Sequence, residues 1–275
     1  MVRLESVLVL AWLIPLIVLV VVAAAVTAKL IVRTRAPEGG WFTDLTRSAG
    51  SLTLIGTMFA VMLAFVILFA LQSYQRAREG ASIEGIAVTE MNSVATILPA
   101  SAGDRLRGDL VCYGRAVVND EWPAMRDDRT SDLTESWVER LHTDFAAAAP
   151  GDSRQEAAYS QWFDQEAQRR DGRRERLAEA APTLPLPLWF ALGIGATLTL
   201  TYMVVQADPR ENRFIQALPI ACVSALITAG LLLIFFLDRP YSGDHGSIAP
   251  AEMTRTLARI DIGVQAPCDD LGNPR

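Results

Sequence analysis

The feature that most constrains the fold is residues 51–74, SLTLIGTMFAVMLAFVILFALQSY, which hold no charged side chain. About 20 apolar residues carry an α-helix across a bilayer, so the stretch is long enough to span. The pattern does not stop where the apolar run ends. Gln75, Arg76, Arg78 and Glu79 follow, and no proline occurs before Pro99. The spacing therefore predicts one helix that leaves the lipid and continues into water as the first helix of a soluble domain.

Three more stretches have the same character: 6–28, with Pro15 inside; 184–205, with Pro185, Pro187, Gly193 and Gly195; and 214–237, with Pro219 near its start. All are free of Asp, Glu, Lys, Arg and His. Lipid selects such segments, because a helix satisfies its own backbone there and charged side chains transfer poorly. The expected class is an all-α, four-span transmembrane helix bundle with a helical extramembrane domain inserted between spans two and three. The expected divisions are 1–74 (spans one and two), 75–182 (the helical domain), 183–243 (spans three and four) and 244–275 (a polar tail). Arg3 and Val26-Thr27-Ala28 resemble parts of a signal peptide, but the apolar stretch exceeds the usual h-region of about 7–15 residues, which favours an uncleaved anchor.

Composition is that of a membrane bundle averaged with one polar domain. The chain is 51% hydrophobic, yet most of its charge falls between Arg76 and Glu179. A formal net charge of −6 argues against a nucleic-acid partner, which selects a basic face. The basic run Arg169, Arg170, Arg173, Arg174, Arg176 is interleaved with acids before a span, and reads as a solvated or headgroup-facing helix end. Cys222 reads as a small apolar residue in span four. Cys112 and Cys268 fall on one side of the membrane in a four-span chain, which permits a disulfide, but free thiols are the expectation. His142 and His245 stand apart, and no CxxC or HExxH spacing occurs, so no metal and no cofactor is expected.

Between the spans the chain reads as helices. Ala87, Met91, Val94 and Leu98 fall on one face, as do Leu106, Leu110, Tyr113 and Val117. Residues 99–103 separate these two helices, and Glu121-Trp122-Pro123 ends the second. A third amphipathic segment covers 132–145 (Leu133, Trp137, Leu141, Phe145). A fourth covers about 155–180, marked by Tyr159, Trp162, Phe163 and Leu177. The turn at 36–40 is short, so spans one and two are expected to pack as an antiparallel pair. Lys29, Arg33 and Arg35 are expected to snorkel to the interface, with Trp41, Phe42 and Trp189 in the headgroup belt. Residues 250–260 form an amphipathic piece, followed by a loose end.

Several of these residues carry a family pattern. Glu90-Met91-Asn92-Ser93 follows the second span, Tyr113 precedes Glu121-Trp122-Pro123-Ala124-Met125, and Leu237-Asp238-Arg239-Pro240-Tyr241-x-Gly243 follows the last span. The chain resembles the bestrophin-like family of bacterial and plant membrane proteins, a domain of unknown function, over nearly its whole length. The family usually has phenylalanine where Tyr241 stands. The resemblance implies a four-span membrane protein distantly similar to bestrophin anion channels. No acidic cluster here matches a bestrophin calcium clasp.

The candidate site residues each carry two readings. Asp238, Arg239, Pro240 and Gly243 are a gate or ion-site element, or else a helix stop in which Pro240 forbids continuation and Gly243 permits the turn. Glu84 and Glu90 ring a vestibule in an oligomer, or else lie on a solvated helix face. Thr197 and Thr201, with Gly193, Gly195 and Thr199, are small side chains for close helix packing or for a narrow path. Glu121, Trp122 and Pro123 read as an anchor of the helical domain through a buried indole.

No nucleophile–base pair, phosphate loop or acid/base dyad is present, so an enzyme is not expected. Intramembrane ionisable groups, usual in proton-driven transporters, are absent from the four stretches. The short connections carry Lys29, Arg33, Arg35, Arg47, Arg210 and Arg213. By the positive-inside rule they face the cytoplasm and the polar domain lies outside; Arg76, Arg78 and the Arg169–Arg176 run also flank spans, which leaves cytoplasmic termini, as in bestrophins, as the open alternative. The expected function is an oligomeric channel for small inorganic ions, small anions first, in a bacterial plasma membrane. The competing reading is a non-conducting scaffold or sensor whose helical domain binds a partner.

Overall fold

The computed structural model describes residues 2–37, 40–42, 45–243 and 246–275, with side chains omitted for 2–12 and 45–47. Glu38, Gly39 and His245, and the side chains of Arg3 and Arg47, lie outside the described residues. The chain divides into two compact units: Met1–Gln72 with Thr183–Asp238, and Ser73–Pro182 with Arg239–Arg275.

The first unit holds α1 (Val2–Arg35), the N-terminal part of α2 (Leu45–Ala95), α7 (Leu186–Val205) and α8 (Arg213–Leu237). Among the described residues, four helices are long and apolar enough to cross a membrane, and these are the four. Pro15 and Pro219 lie inside continuous helices. Phe59 and Val66 of α2, Leu192 and Ala196 of α7, and Ile227 and Ile234 of α8 form the unit's core. A side chain at Gly195 would collide with the Phe59 ring, and one at Gly230 would come within 3.1 Å of Leu63. These glycines let α7 and α8 approach α2 closely.

Helix α1 packs along α8, with a smaller contact to α7. The C-terminal end of α1 differs from expectation. Lys29 is buried and donates to the carbonyls of Met203 at 2.7 Å and Gln206 at 2.5 Å. Arg33 donates to the carbonyls of Pro209 and Glu211. The unpaired carbonyls at the end of α7 and in the α7–α8 turn need donors, and these two cations supply them instead of reaching for the interface.

The second unit adds α3 (Ala100–Ala116), a π-helical turn (Val117–Glu121), the single turn α4 (Trp122–Ala124), a 3-10 turn (Met125–Asp127), α5 (Asp132–Ala146), α6 (Ser153–Ala178) and α9 (Ala251–Ile260). Ala87, Met91, Val94 and Leu98 are buried together, as are Leu106, Leu110, Tyr113 and Val117. On α6 the marks split, with Trp162 buried and Phe163 exposed. Pro123 does not end the second helix: it lies within α4, which follows directly on the π-helical turn. The chain stays helical to Asp127 and stops where Asp128 takes φ +54°.

The end of the chain is held, not loose. Cys268 forms a disulfide with Cys112, with Cα atoms 5.8 Å apart. Trp137 donates its indole N–H to the carbonyl of Gly272 at 2.7 Å, and Arg115 donates to that of Asp269. The expectation of free thiols at 112 and 268 is therefore corrected: sequence separation said nothing about the tail folding back on α3.

Helix α2 crosses α6 at a pair of glycines. A Cβ on Gly80 would lie 2.9 Å from the Gly172 carbonyl oxygen, and one on Gly172 would lie 2.6 Å from the Glu84 amide nitrogen. We expect Gly172→Val to lower unfolding free energy by about 1–3 kcal/mol through overpacking, read as a fall in thermal midpoint of the detergent-solubilised protein. A wild-type midpoint would contradict the close crossing.

Candidate functional site

The glycine crossing has a chemical result. It brings Glu84 of α2 against Arg176 of α6, which donates Nε and Nη2 to Glu84 at 2.6 and 2.9 Å. The same guanidinium donates to Glu121 at 2.5 Å and lies 5.2 Å over the Trp122 ring. Arg173 donates Nη2 to Glu121 at 2.7 Å and Nη1 to Glu135 at 2.7 Å. Arg169 pairs with Glu166 at 2.5 Å and donates to the Tyr113 hydroxyl, which in turn donates to Glu84 at 2.5 Å. Glu84, Glu121 and Arg176 are fully excluded from solvent.

Local sequence explains the arrangement. Arg169, Arg173 and Arg176 are four and three residues apart and share one helix face, while Arg170 and Arg174 point to solvent. The reading of this run as a solvated end thus fails for three of its five arginines. On the facing segment, the π-helical turn inserts one residue per turn and aims Glu121 inward.

The electrostatics follow from burial against pairing. Burial alone would raise the Glu121 carboxyl, but the charges of Arg176 and Arg173 outweigh it and hold Glu121 below the ordinary carboxylate range. Glu166 is lowered in the same way, with Arg169 outweighing burial. Burial pushes the Tyr113 phenol well above its ordinary value, with the Glu84 charge adding to it. Paired arginines thus hold both Glu121 and Glu166 toward the charged form despite their burial.

The other sequence candidates fall as follows. Glu84 is not on a solvated face, because the Gly80–Gly172 crossing covers it; Glu90 is exposed on α2. Trp122 is buried and donates to the carbonyl of Ile248 at 3.1 Å, while Pro123 is exposed. Asp238 is buried and its Oδ1 accepts the backbone N–H groups of Thr183 and Leu184 at 2.9 and 2.8 Å. It joins the end of α8 to the entry of α7. Arg239 is exposed and Pro240 buried. Gly243 takes φ +84°, and a Cβ there would lie 2.8 Å from the Arg126 guanidinium. Tyr241 donates to the carbonyl of Ala77 at 2.7 Å and meets Trp122 edge-on. Thr197 and Thr201 are exposed, on the side of α7 where Gly193 meets nothing, whereas Thr199 and Gly195 face α2.

The first unit has its own candidate surface. Leu54, Met58, Val61, Phe65, Leu68 and Gln72 recur at alternating steps of four and three along α2, and all are exposed, while Phe59, Val66 and Ala70 are buried on the other side. The period was present in the sequence, but an uncharged helix shows every face as apolar, so periodicity could not separate packed from free.

Four membrane-length helices, with a helical unit built from the segments between and after them, define a polytopic helical membrane protein. A Bestrophin-like domain model matches residues 14–250, and the chain belongs to the bestrophin-like family. Among solved structures, two single-site mutants of a bacterial bestrophin homologue from Klebsiella pneumoniae share the fold. One is 14% identical with a TM-score of 0.66, covering 88% of this chain and 98% of that one. The other is 16% identical with a TM-score of 0.64, covering 88% and 97%. A mutant described as a membrane protein matches with a TM-score of 0.60 at 15% identity, covering 94% and 100%. Comparison with curated protein sequences finds no match.

Removing one partner of a buried charge pair leaves the other uncompensated, which costs about 3–5 kcal/mol. Arg176→Met is expected to destabilise by that order in denaturant unfolding, and Arg174→Met by less than about 0.5 kcal/mol as an exposed substitution. Equal effects at the two positions would show that the buried network does not bear on stability.

Proposed function

We propose that the chain forms a homo-oligomeric channel for small anions in a bacterial plasma membrane. The observation that carries the reading is the free face of α2 in the first unit. Its six exposed positions lie on the strip that a helix presents to a neighbouring copy around an axis. The strip is uncharged: Thr53 and Thr57 lie beside its start, Gln72 closes it, and its middle is apolar. Apolar constrictions between polar groups gate by dewetting. Membership of the bestrophin-like family, whose bestrophins are anion channels, supports the same reading. Protein reconstituted in liposomes is expected to pass chloride above the protein-free rate, and Phe65→Ala to raise that rate by widening the apolar stretch. Flux at background for chloride and for common cations, across pH, would remove the reading.

The same proposal assigns the second unit to the extracytoplasmic side. Disulfides persist in oxidising compartments, and Cys112–Cys268 lies in this unit. The short connections, with Lys29, Arg33, Arg35, Arg210 and Arg213, have the composition of cytoplasmic loops. In a Cys222→Ala background, Gln161→Cys on exposed α6 is expected to react with a membrane-impermeant maleimide in intact spheroplasts. Reaction only after lysis would reverse the orientation.

A further inference from the structure

A second cluster of charges, apart from the Glu84–Arg176 network, lines a cleft of about 430 Å³ in the second unit. Arg105 and Arg107 of α3 and Arg140 of α5 form its charged wall, with Asp109 at its inner side and the tail segment 263–267 opposite. The ion pairs here are longer than those of the buried network. Arg140 Nε stands 3.2 Å from Asp109 and 4.0 Å from Asp144. Arg105 Nε is 3.4 Å from Asp144, and Arg107 is 3.9 Å from Asp104. The buried network closes its arginine pairs at 2.5–2.7 Å. A guanidinium has five N–H donors, and the side chains of Arg105 and Arg140 are close to half exposed. The three arginines therefore have donors left to aim into the cleft.

Asp109 is the second observation. It is 1% exposed, lines the cleft, and neither carboxylate oxygen receives a hydrogen bond. A buried carboxylate without a donor is unfavourable. A proton between it and the neighbouring Asp144 carboxyl supplies the missing donor. Burial first, then Asp144 beside it, push Asp109 up to about 7, against the opposing charges of Arg140 and Arg105. The charged groups around it are Arg140 and Asp144 from α5 and Asp104, Arg105 and Arg107 from its own helix; segment 263–267, GVQAP, contributes none.

We propose that this cleft binds a small carboxylate or phosphate anion between Arg105, Arg107 and Arg140, and takes up a proton on Asp109 as it does so. The chemistry is competition. Planar guanidinium forks match carboxylate and phosphate oxygens. Among the described residues, the carboxylates that pair with Arg105 and Arg140 are Asp109 and Asp144. Neutralising one of these carboxylates frees the arginines for an external anion. The external anion in turn removes the positive charge that had favoured ionised Asp109. Proton and anion therefore bind with positive coupling, as linkage requires. The volume lies within the range of about 300–1,000 Å³ usual for small-molecule sites, so a di- or tricarboxylate or a phosphorylated metabolite fits as well as inorganic phosphate. This holds whether or not the first unit conducts ions.

The test is isothermal titration of the full-length, disulfide-intact protein in detergent with succinate, with inorganic phosphate, and with a water-soluble short-chain phosphatidic acid, at pH 5.5 and 8.5. Saturable binding of succinate or phosphate is expected, at least tenfold tighter at pH 5.5, with no stronger binding of the lipid. Arg140→Gln and Arg105→Gln are each expected to weaken binding tenfold or more. Asp109→Asn is expected to bind at pH 8.5 nearly as the wild type does at pH 5.5. Arg105 is half exposed, so its variant tests the site even where Arg140→Gln lowers the yield of folded protein. Absence of saturable binding at both pH values, binding unaffected by either arginine change, or the same affinity at both pH values would each overturn the proposal. Binding of the phosphatidic acid alone would also overturn it, in favour of a headgroup site.

Discussion

The second unit depends on one guanidinium. Arg176 is fully buried, and it is tolerable there because Glu84, from the far part of α2, and Glu121, from the π-helical turn, both accept its hydrogen bonds. A charge buried at that depth has to be paired. Three chain segments separated by tens of residues thus have to meet in one geometry before any of the charges is compensated. Such a network adds little net stability over an apolar core of the same shape. Its effect here is to fix register: Gly80 and Gly172 must lie against each other, since any Cβ at the crossing would strike backbone.

The first unit uses polar groups differently. Its helices are apolar on every side, so association cannot be driven by hiding one face from water. Close approach at Gly195 and Gly230 supplies packing, and the polar residues are spent on helix ends. Lys29 and Arg33 satisfy carbonyls at the end of α7 and beyond it, and Asp238 satisfies two amides at its entry. In a medium without water each of those groups needs such a partner. The family motif around Asp238 is, in this chain, a device for joining α8 to α7 at the one end.

Within the second unit, two clusters of charge divide by how tightly they are closed. Around Glu84 and Glu121 the pairs are short and closed, and Arg176 and Arg173 hold the Glu121 carboxyl below the ordinary carboxylate range. Around Asp109 the contacts are longer, the Arg105 and Arg140 side chains are close to half exposed, and neither Asp109 oxygen accepts a hydrogen bond. The same residue types, on neighbouring helices, make a locked structural element in one place and an open, proton-sensitive cleft in the other. Distance and burial separate them, not composition.

Length, hydropathy and charge by themselves determined that this chain has four membrane-length helices and a helical unit made from what remains, because lipid admits few alternatives and the apolar runs are long. They also determined the inward faces at Ala87–Leu98 and Leu106–Val117, where polar residues on the opposite side make the period visible. They could not tell Arg173 from Arg174, since adjacent arginines differ only in the face they take. They could not tell that Cys112 and Cys268 meet, because 156 residues of separation carry no distance. They could not show which side of α2 is free, because all its sides are apolar. Those points were decided only when helices far apart in the chain packed, and packing is what assigns each side chain to a partner, to a cleft or to its surroundings.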